Sequence, residues 1–314
     1  MFQLTNLDST TSLYFLRDLE HIKQKTYDIM KAPLRAFTLI PVESSVDSGA
    51  ESITYRQYDQ TGIAQIIANY ADDLPRADVQ GKEFTSTIKS IGDSYGYSLQ
   101  DIRAAAHSGR PLQQRKANAA LRAQQEKWEQ IAWYGDAEYN LPGFLTNPNI
   151  PSSTAGATGT GSSTNWADKT PQQIIDELNG LVNRVVTRTK GAEKPNTLLL
   201  PIEQYTLISS QVYSTNTENT ILTVFLKNSP HITSVEWCDA LSAAELAANE
   251  VSDFTGDIAI VYDRNPDKLT FEFPQPFEQL QVQERGLEFI VPCHSRVGGT
   301  IIYYPLSMEI LEGI

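Results

Sequence analysis

Residues 98–134 read SLQDIRAAAHSGRPLQQRKANAALRAQQEKWEQIAWY, and the fold turns on them. The stretch predicts a short helix, a break at Gly109-Arg110-Pro111, and a long second helix that Gly135-Asp136 stops. Pro111 suits the first turn of the second helix, where its missing N–H costs nothing. Ala117, Leu121, Trp128, Ile131 and Ala132 recur at helical spacing and give one narrow apolar stripe. The other face is polar, with Gln113, Gln114, Arg115, Arg122, Gln124, Gln125, Glu126 and Lys127. A long helix with so narrow a stripe needs a broad surface beneath it.

Upstream, residues 37–97 are rich in strand formers and turns. Residues 37–42 are one strand candidate. Residues 52–59 alternate like a half-buried strand, and residues 82–91, dominated by Thr and Ile, are another. Between them, residues 62–79 are mixed, with a turn at Asp72-Asp73-Leu74-Pro75. Two strands parted by an excursion of ~20 residues predict a long hairpin with an elaborated tip, which a compact domain seldom carries without a use for it. Residues 1–36 form a leading segment. Leu13, Phe15, Leu16, Leu19 and Ile22 predict a short amphipathic helix. Lys23, Lys25, Lys31 and Arg35 then make this the most basic part of the chain, an arm that packs on its own body or reaches a neighbour.

Downstream, residues 143–148 form a turn. Residues 151–165, PSSTAGATGTGSSTN, are low in complexity and almost uncharged, which predicts a flexible loop. Its glycines lack the lysine and the preceding apolar strand of a phosphate-binding loop. Thr170-Pro171-Gln172-Gln173 is a helix start with a capping box, and Ile174, Leu178, Leu181 and Val185 define the buried face behind it. Lys190-Gly191 closes that helix. A buried strand over 197–200, helices over 201–209 and 217–228, and strands over 232–237 and 257–263 follow. Ile221, Val224 and Phe225 point inward. Residues 240–250 are an acidic, alanine-rich insert. The tail reads as strands over 269–273, 277–284, 287–293 and 299–305. Helices and strands interleave without a regular βαβ period, so the fold class is α+β.

The chain has 314 residues, 40% hydrophobic and 20% charged, enough for a sizeable core. Its formal net charge of -13 argues against a sequence-reading nucleic-acid binder, which needs a basic footprint. It suits a protein that stays soluble when concentrated, or that must not adhere to a polyanion beside it. The two cysteines, Cys238 and Cys293, make no disulfide framework and read as small buried hydrophobes. No signal peptide, membrane-spanning run or internal repeat is legible, which suggests a cytoplasmic protein without a membrane partner.

Chemistry is sparse. His21, His107, His231 and His294 fall in no zinc pattern, and no nucleophile elbow is present. Cys293 and His294 are neighbours on a strand, so their side chains point to opposite faces. Asp72-Asp73 has a solvated turn as its default reading, beside a role facing a cation or a basic neighbour. No catalytic, cofactor-binding or metal-binding residue is nominated, and no cofactor is expected.

The hairpin and broken helix resemble the major capsid protein of tailed bacteriophages, whose fold is shared with herpesvirus capsid floors and encapsulin shells. The matching text is Gly62-Ile-Ala-Gln-Ile-Ile-Ala and Asp73-Leu-Pro-Arg-Ala-Asp-Val79, then Tyr95-Gly-Tyr-Ser98 and Ile102-Arg-Ala-Ala. It continues in Gly109-Arg-Pro-Leu112, Lys116-Ala, Ala119-Ala120, Ile131, Gly135-Asp136 and Gly143-Phe-Leu-Thr-Asn147. Residues 35–150 carry the specific likeness, and the remainder matches by architecture. The resemblance implies an N-terminal arm over 1–36, an extended two-stranded loop with adjoining strands over 37–97, and a peripheral domain with a spine helix over 98–190. An axial domain over 191–268 and returning strands over 269–314 complete it.

The family implies copies of the chain arranged as hexamers and pentamers of an icosahedral shell that encloses double-stranded DNA without reading its sequence. Such a shell is a virion capsid assembled in the host cell cytoplasm, with separate scaffolding, portal and decoration proteins as further partners. Residues 1–36 are short beside an internal scaffold of ~100 residues, so any scaffold is expected to be a separate protein. Subunit contacts are expected at Arg35, Tyr70, Asp72, Asp73 and Arg76. The alternatives are an encapsulin-like compartment for protein cargo and, from another class, a soluble hydrolase with a flexible lid at 151–165.

Overall fold

The structure, a computed structural model, describes residues 30–62, 76–108, 112–214 and 218–314. The chain divides into residues 1–33 and residues 34–314. In the first unit only 30–33 are described, as irregular backbone. The expected amphipathic helix of the leading segment, the turn at 72–75 and the break at 109–111 lie outside the described residues.

Residues 37–42, expected as a strand, instead form one helical turn, α1 (Ala36–Leu39), before the two-residue strand β1 (Val42–Glu43). The cause is remote in sequence. Glu129 accepts the main-chain N–H of Arg35 at 2.9 Å and of Ala36 at 2.9 Å. A carboxylate thus satisfies donors that a helix start leaves open, while Leu39 and Ile40 drop into the core.

β2 (Ser52–Thr61) and β3 (Asp78–Thr87) pair antiparallel from Ser52↔Thr87 to Thr61↔Asp78, which is the expected hairpin. The single strand expected over 82–91 is two. Ile88 turns its side chain inward and donates its N–H to Glu51 at 2.9 Å, and the chain resumes as β4 (Lys89–Ser98). A continuous run of strand formers hides that division from a propensity reading. Then come α2 (Leu99–Ser108) and the long α3 (Leu112–Tyr134). One residue of the polar face of α3 is misplaced by the sequence reading. Gln124 is buried, in a row with Ala120 and Trp128 four residues to either side.

Residues 151–165 are not a free loop. β5 (Ser152–Thr154) pairs parallel with a strand near the end of the chain. The N–H of Gly156, the indole N–H of Trp166 and the ammonium of Lys169 all reach the Glu177 carboxylate, at 2.7, 2.9 and 2.6 Å. Glu177 lies in α4 (Pro171–Arg188), which carries the expected Thr170 capping box. β6 (Thr197–Leu200), α5 (Ile202–Ser210), α6 (Ile221–Asn228), β7 (Ser234–Trp237), α7 (Ala243–Ala248) and β8 (Ile258–Tyr262) follow. The chain ends in β9 (Leu269–Glu272), β10 (Gln275–Gln279), β11 (Gln283–Arg285), β12 (Glu288–Val297), β13 (Gly299–Ile302) and β14 (Glu309–Glu312), the last of which the sequence reading left out.

A mixed sheet in the order β5-β14-β8-β6-β7 divides two hydrophobic clusters. Alternation sorts β8 between them. Ile258, Ile260 and Tyr262 face a cluster with Trp128, Ile131, Trp133 and Phe144, whereas Ala259 and Val261 face Ile174, Leu178, Leu181 and Phe225. β4 pairs with β12 over ten residues, and β10 and β11 pair with the other edge of β12. The surface that α3 needs is therefore built by strands from both ends of the chain, with Trp128 donating to Ser295 Oγ of β12 at 3.0 Å.

Candidate functional site

The β2–β3 ribbon changes character along its length. Near its root, Ile53, Tyr55, Gln57, Phe84 and Ser86 are half-buried or buried, and their neighbours alternate outward. From Tyr58 to Thr61 and from Asp78 to Glu83 every residue is exposed. Among the described residues, then, nothing buries the distal half on either face. Two isolated strands are marginal in water.

The root is held firmly. The Tyr55 ring stacks on Phe84 at 5.2 Å and meets Tyr303 edge-on at 5.0 Å. Gln57 donates its amide to the Tyr303 carbonyl, and Ser86 Oγ donates to the Gly298 carbonyl at 3.1 Å. Thr87 reaches the carbonyl of Tyr139 at 3.2 Å. Gly298 is required by close approach, since a Cβ there would lie 2.9 Å from Glu272 Cβ and 3.1 Å from Ile53. Two hollows flank the ribbon. One, of about 450 Å3, includes Tyr55, Ser86, Pro142 and Thr300. The other, of about 890 Å3, includes Arg56, Tyr58, Lys82, Glu193, Tyr304 and Leu306.

Glu272 sits beneath the root. It is 1% exposed, and its Oε2 has no hydrogen-bond partner among the described residues. Burial pushes its carboxyl above the ordinary value of 4.5, against the Thr270 and Tyr303 hydroxyls that donate to Oε1 at 2.6 and 3.3 Å. Glu43, its register partner on β1, adds to the rise. Sequence reasoning missed Tyr303, Gly298 and Glu272. The Gly298-Gly299 and Tyr303-Tyr304 pairs were the available signal.

Of the expected subunit contacts, Arg76 is exposed on the approach to β3, and Tyr70, Asp72 and Asp73 lie outside the described residues. The structure ties Arg35 into its own chain. Its guanidinium pairs with Glu236 at 2.6 Å, donates to the Trp237 carbonyl at 2.5 Å and lies 4.3 Å from the Trp237 ring centre. Among the described residues, no group of three His, Cys, Asp or Glu could hold a metal ion. Burial pushes the Cys238 thiol up to about 12, so it is no thiolate at neutral pH.

The sequence model of the major capsid protein family matches residues 62–314. The chain belongs to the major capsid protein family. No curated protein matches it. Among solved structures, the capsid of Myoviridae phage XM1 is 16% identical, with 96% of this chain and 99% of that one covered and a TM-score of 0.80. The capsid of a native GTA particle is 11% identical over 93% of this chain and 94% of its own, with a TM-score of 0.64. A virus-like particle from Pyrococcus furiosus is 12% identical over 88% and 91%, with a TM-score of 0.53. At such identities these likenesses speak for the fold. As a major capsid protein the chain is structural rather than enzymatic, a component of the virion capsid that builds a shell from copies of itself. The expected α+β capsid fold is borne out.

Proposed function

We propose that this major capsid protein forms hexamers and pentamers of an icosahedral shell around double-stranded DNA, each β2–β3 ribbon lying on a neighbouring subunit. The observation that carries the reading is the distal half of the ribbon, exposed on both faces. Placed on a neighbour it gains the packing its own chain withholds, and a repeated heterologous contact of this kind closes into rings. Tyr70, Asp72, Asp73 and Arg76, in or beside the ribbon's connection, are proposed contacts. Arg35 is proposed to act within the subunit, through its ion pair with Glu236 and its contact with Trp237. The subunit is proposed to divide into arm, extended loop, peripheral domain, axial domain and returning strands, to assemble in the host cytoplasm, and to work with separate scaffolding, portal and decoration proteins.

The test is to replace residues 58–81 by a two-residue turn and to examine the product by sedimentation and negative-stain microscopy. Folded subunits that no longer form shells are the expected result. Shells of ordinary size would overturn the ribbon's role.

A further inference from the structure

We infer that Glu272 is a proton-operated catch beneath the root of the β2–β3 ribbon, closing the root when neutral and releasing it when ionised. The catch acts within one subunit, whatever the far half of the ribbon lies on.

Ribbon and returning strand together roof the carboxyl. Along β9, Leu269 and Phe271 face the core, so Thr270 and Glu272 face the opposite way. Gly299 of β13 is the register partner of Glu272. At Gly298, just before it, a Cβ would lie 2.9 Å from Glu272 Cβ and 3.1 Å from Ile53 Cδ1, so β2 and β9 nearly meet across that glycine. β3 reaches the same place, since Ser86 Oγ donates to the Gly298 carbonyl. Tyr303 donates its hydroxyl to Glu272 Oε1, and it also carries Tyr55 and Gln57 of β2. The ribbon root therefore bears on Gly298 and Tyr303, the two points that enclose one carboxyl.

The surroundings of that carboxyl favour its neutral form. Both donors, Thr270 and Tyr303, converge on Oε1, and buried Oε2 has no partner among the described residues. Glu43 of β1, across the parallel pair, is a like charge that opposes ionisation. The cations of adjoining segments are engaged elsewhere. Lys268 pairs with Glu193 at 2.7 Å, Arg56 pairs with Glu83 at 2.7 Å, and Arg296 donates to the Ser48 carbonyl. Burial pushes the Tyr55 and Tyr303 hydroxyls above their ordinary value, so both stay uncharged in mild acid and at neutrality. A buried carboxylate with one bare oxygen is costly. Water relieves that cost most cheaply by lifting the root, since the other face of β9 is packed core.

Amide hydrogen exchange of unassembled subunits tests this, with protection corrected for the intrinsic rate at each pH. Between the ordinary carboxyl value and the raised value of the closed root, the open fraction grows up to about tenfold per pH unit. Protection in residues 53–57 and 84–87 is therefore expected to fall by up to that factor per unit from about pH 5, and then to level off. Amides of α4 are expected to stay at least about tenfold better protected, because the core remains closed. Glu272→Gln, neutral at every pH, should abolish the fall. Glu43→Gln keeps the carboxyl and removes its like-charged neighbour, so protection should level off at lower pH than in the parent. The catch is refuted if protection of the root does not change with pH, or if Glu272→Gln retains the parent's fall. It is refuted equally if Glu43→Gln levels off where the parent does. Equal protection of root and α4 at every pH would also refute it, since one global unfolding would then account for both.

Discussion

Glu272 holds its proton more tightly in the folded chain than in the unfolded one, because burial raises its carboxyl above 4.5. A group shifted upward in this way contributes stability below the unfolded value, and the contribution is lost as pH rises through the raised folded value. Glu272→Gln is therefore expected to flatten the dependence of stability on pH and to stabilise the subunit near neutrality. Denaturant unfolding of dissociated subunits from about pH 4 to about pH 8 checks this. A slope unchanged from the parent would show that the carboxyl does not govern the root. Gly143 makes a steric demand instead. A Cβ there would fall on the backbone of Tyr134 and Gly135, where the spine helix ends and the chain doubles back. Flexible side chains can yield, but backbone cannot, so Gly143→Ala should cost about 3 kcal/mol or more, read as a fall in the denaturation midpoint.

Among the elements, the ordered segment before α4 depends on one carboxylate. Lys169 has a side chain wholly out of water and Glu177 as its partner at 2.6 Å. Glu177→Ala strands that charge and frees Gly156 and Trp166, so a loss of about 3–5 kcal/mol is expected. Proteolysis is then expected to cut within residues 155–168 and to spare them in the parent. This segment also shows where sequence reading stops. The Thr170 capping box was legible because every participant lies within four residues. The order of residues 151–165 was not, since it comes from Glu177 and from pairing with β14 at the far end of the chain. Residues 37–42 misled for the same reason, because Glu129 caps the turn from 93 and 94 residues away and strand propensity loses to it. Gln124 shows a third limit. Its amide put it on the polar face in the sequence, yet it lies buried four residues from Trp128. At the ribbon, alternation in β2 was plain in the sequence, while the root was hidden, since Tyr303, Gly298 and Glu272 come from the returning strands.

For the whole molecule, charge and cooperativity both have consequences. The net charge of -13 is proposed to keep the shell's inner wall from adhering to DNA. Neutralising exposed carboxylates should then increase the DNA retained by opened particles, measured at fixed salt because such binding is salt-dependent; unchanged retention would refute the idea. The mixed sheet has a different consequence. Its central strand β8 sends Ile258, Ile260 and Tyr262 to one cluster and Ala259 and Val261 to the other. Neither cluster can melt while the other stays intact, because both would lose the same wall. Calorimetry of the dissociated subunit should accordingly record a single heat-absorption peak, with van't Hoff and calorimetric enthalpies in agreement, rather than two stepwise events. The two clusters on either side of this sheet therefore answer heating together, each failing when the other does.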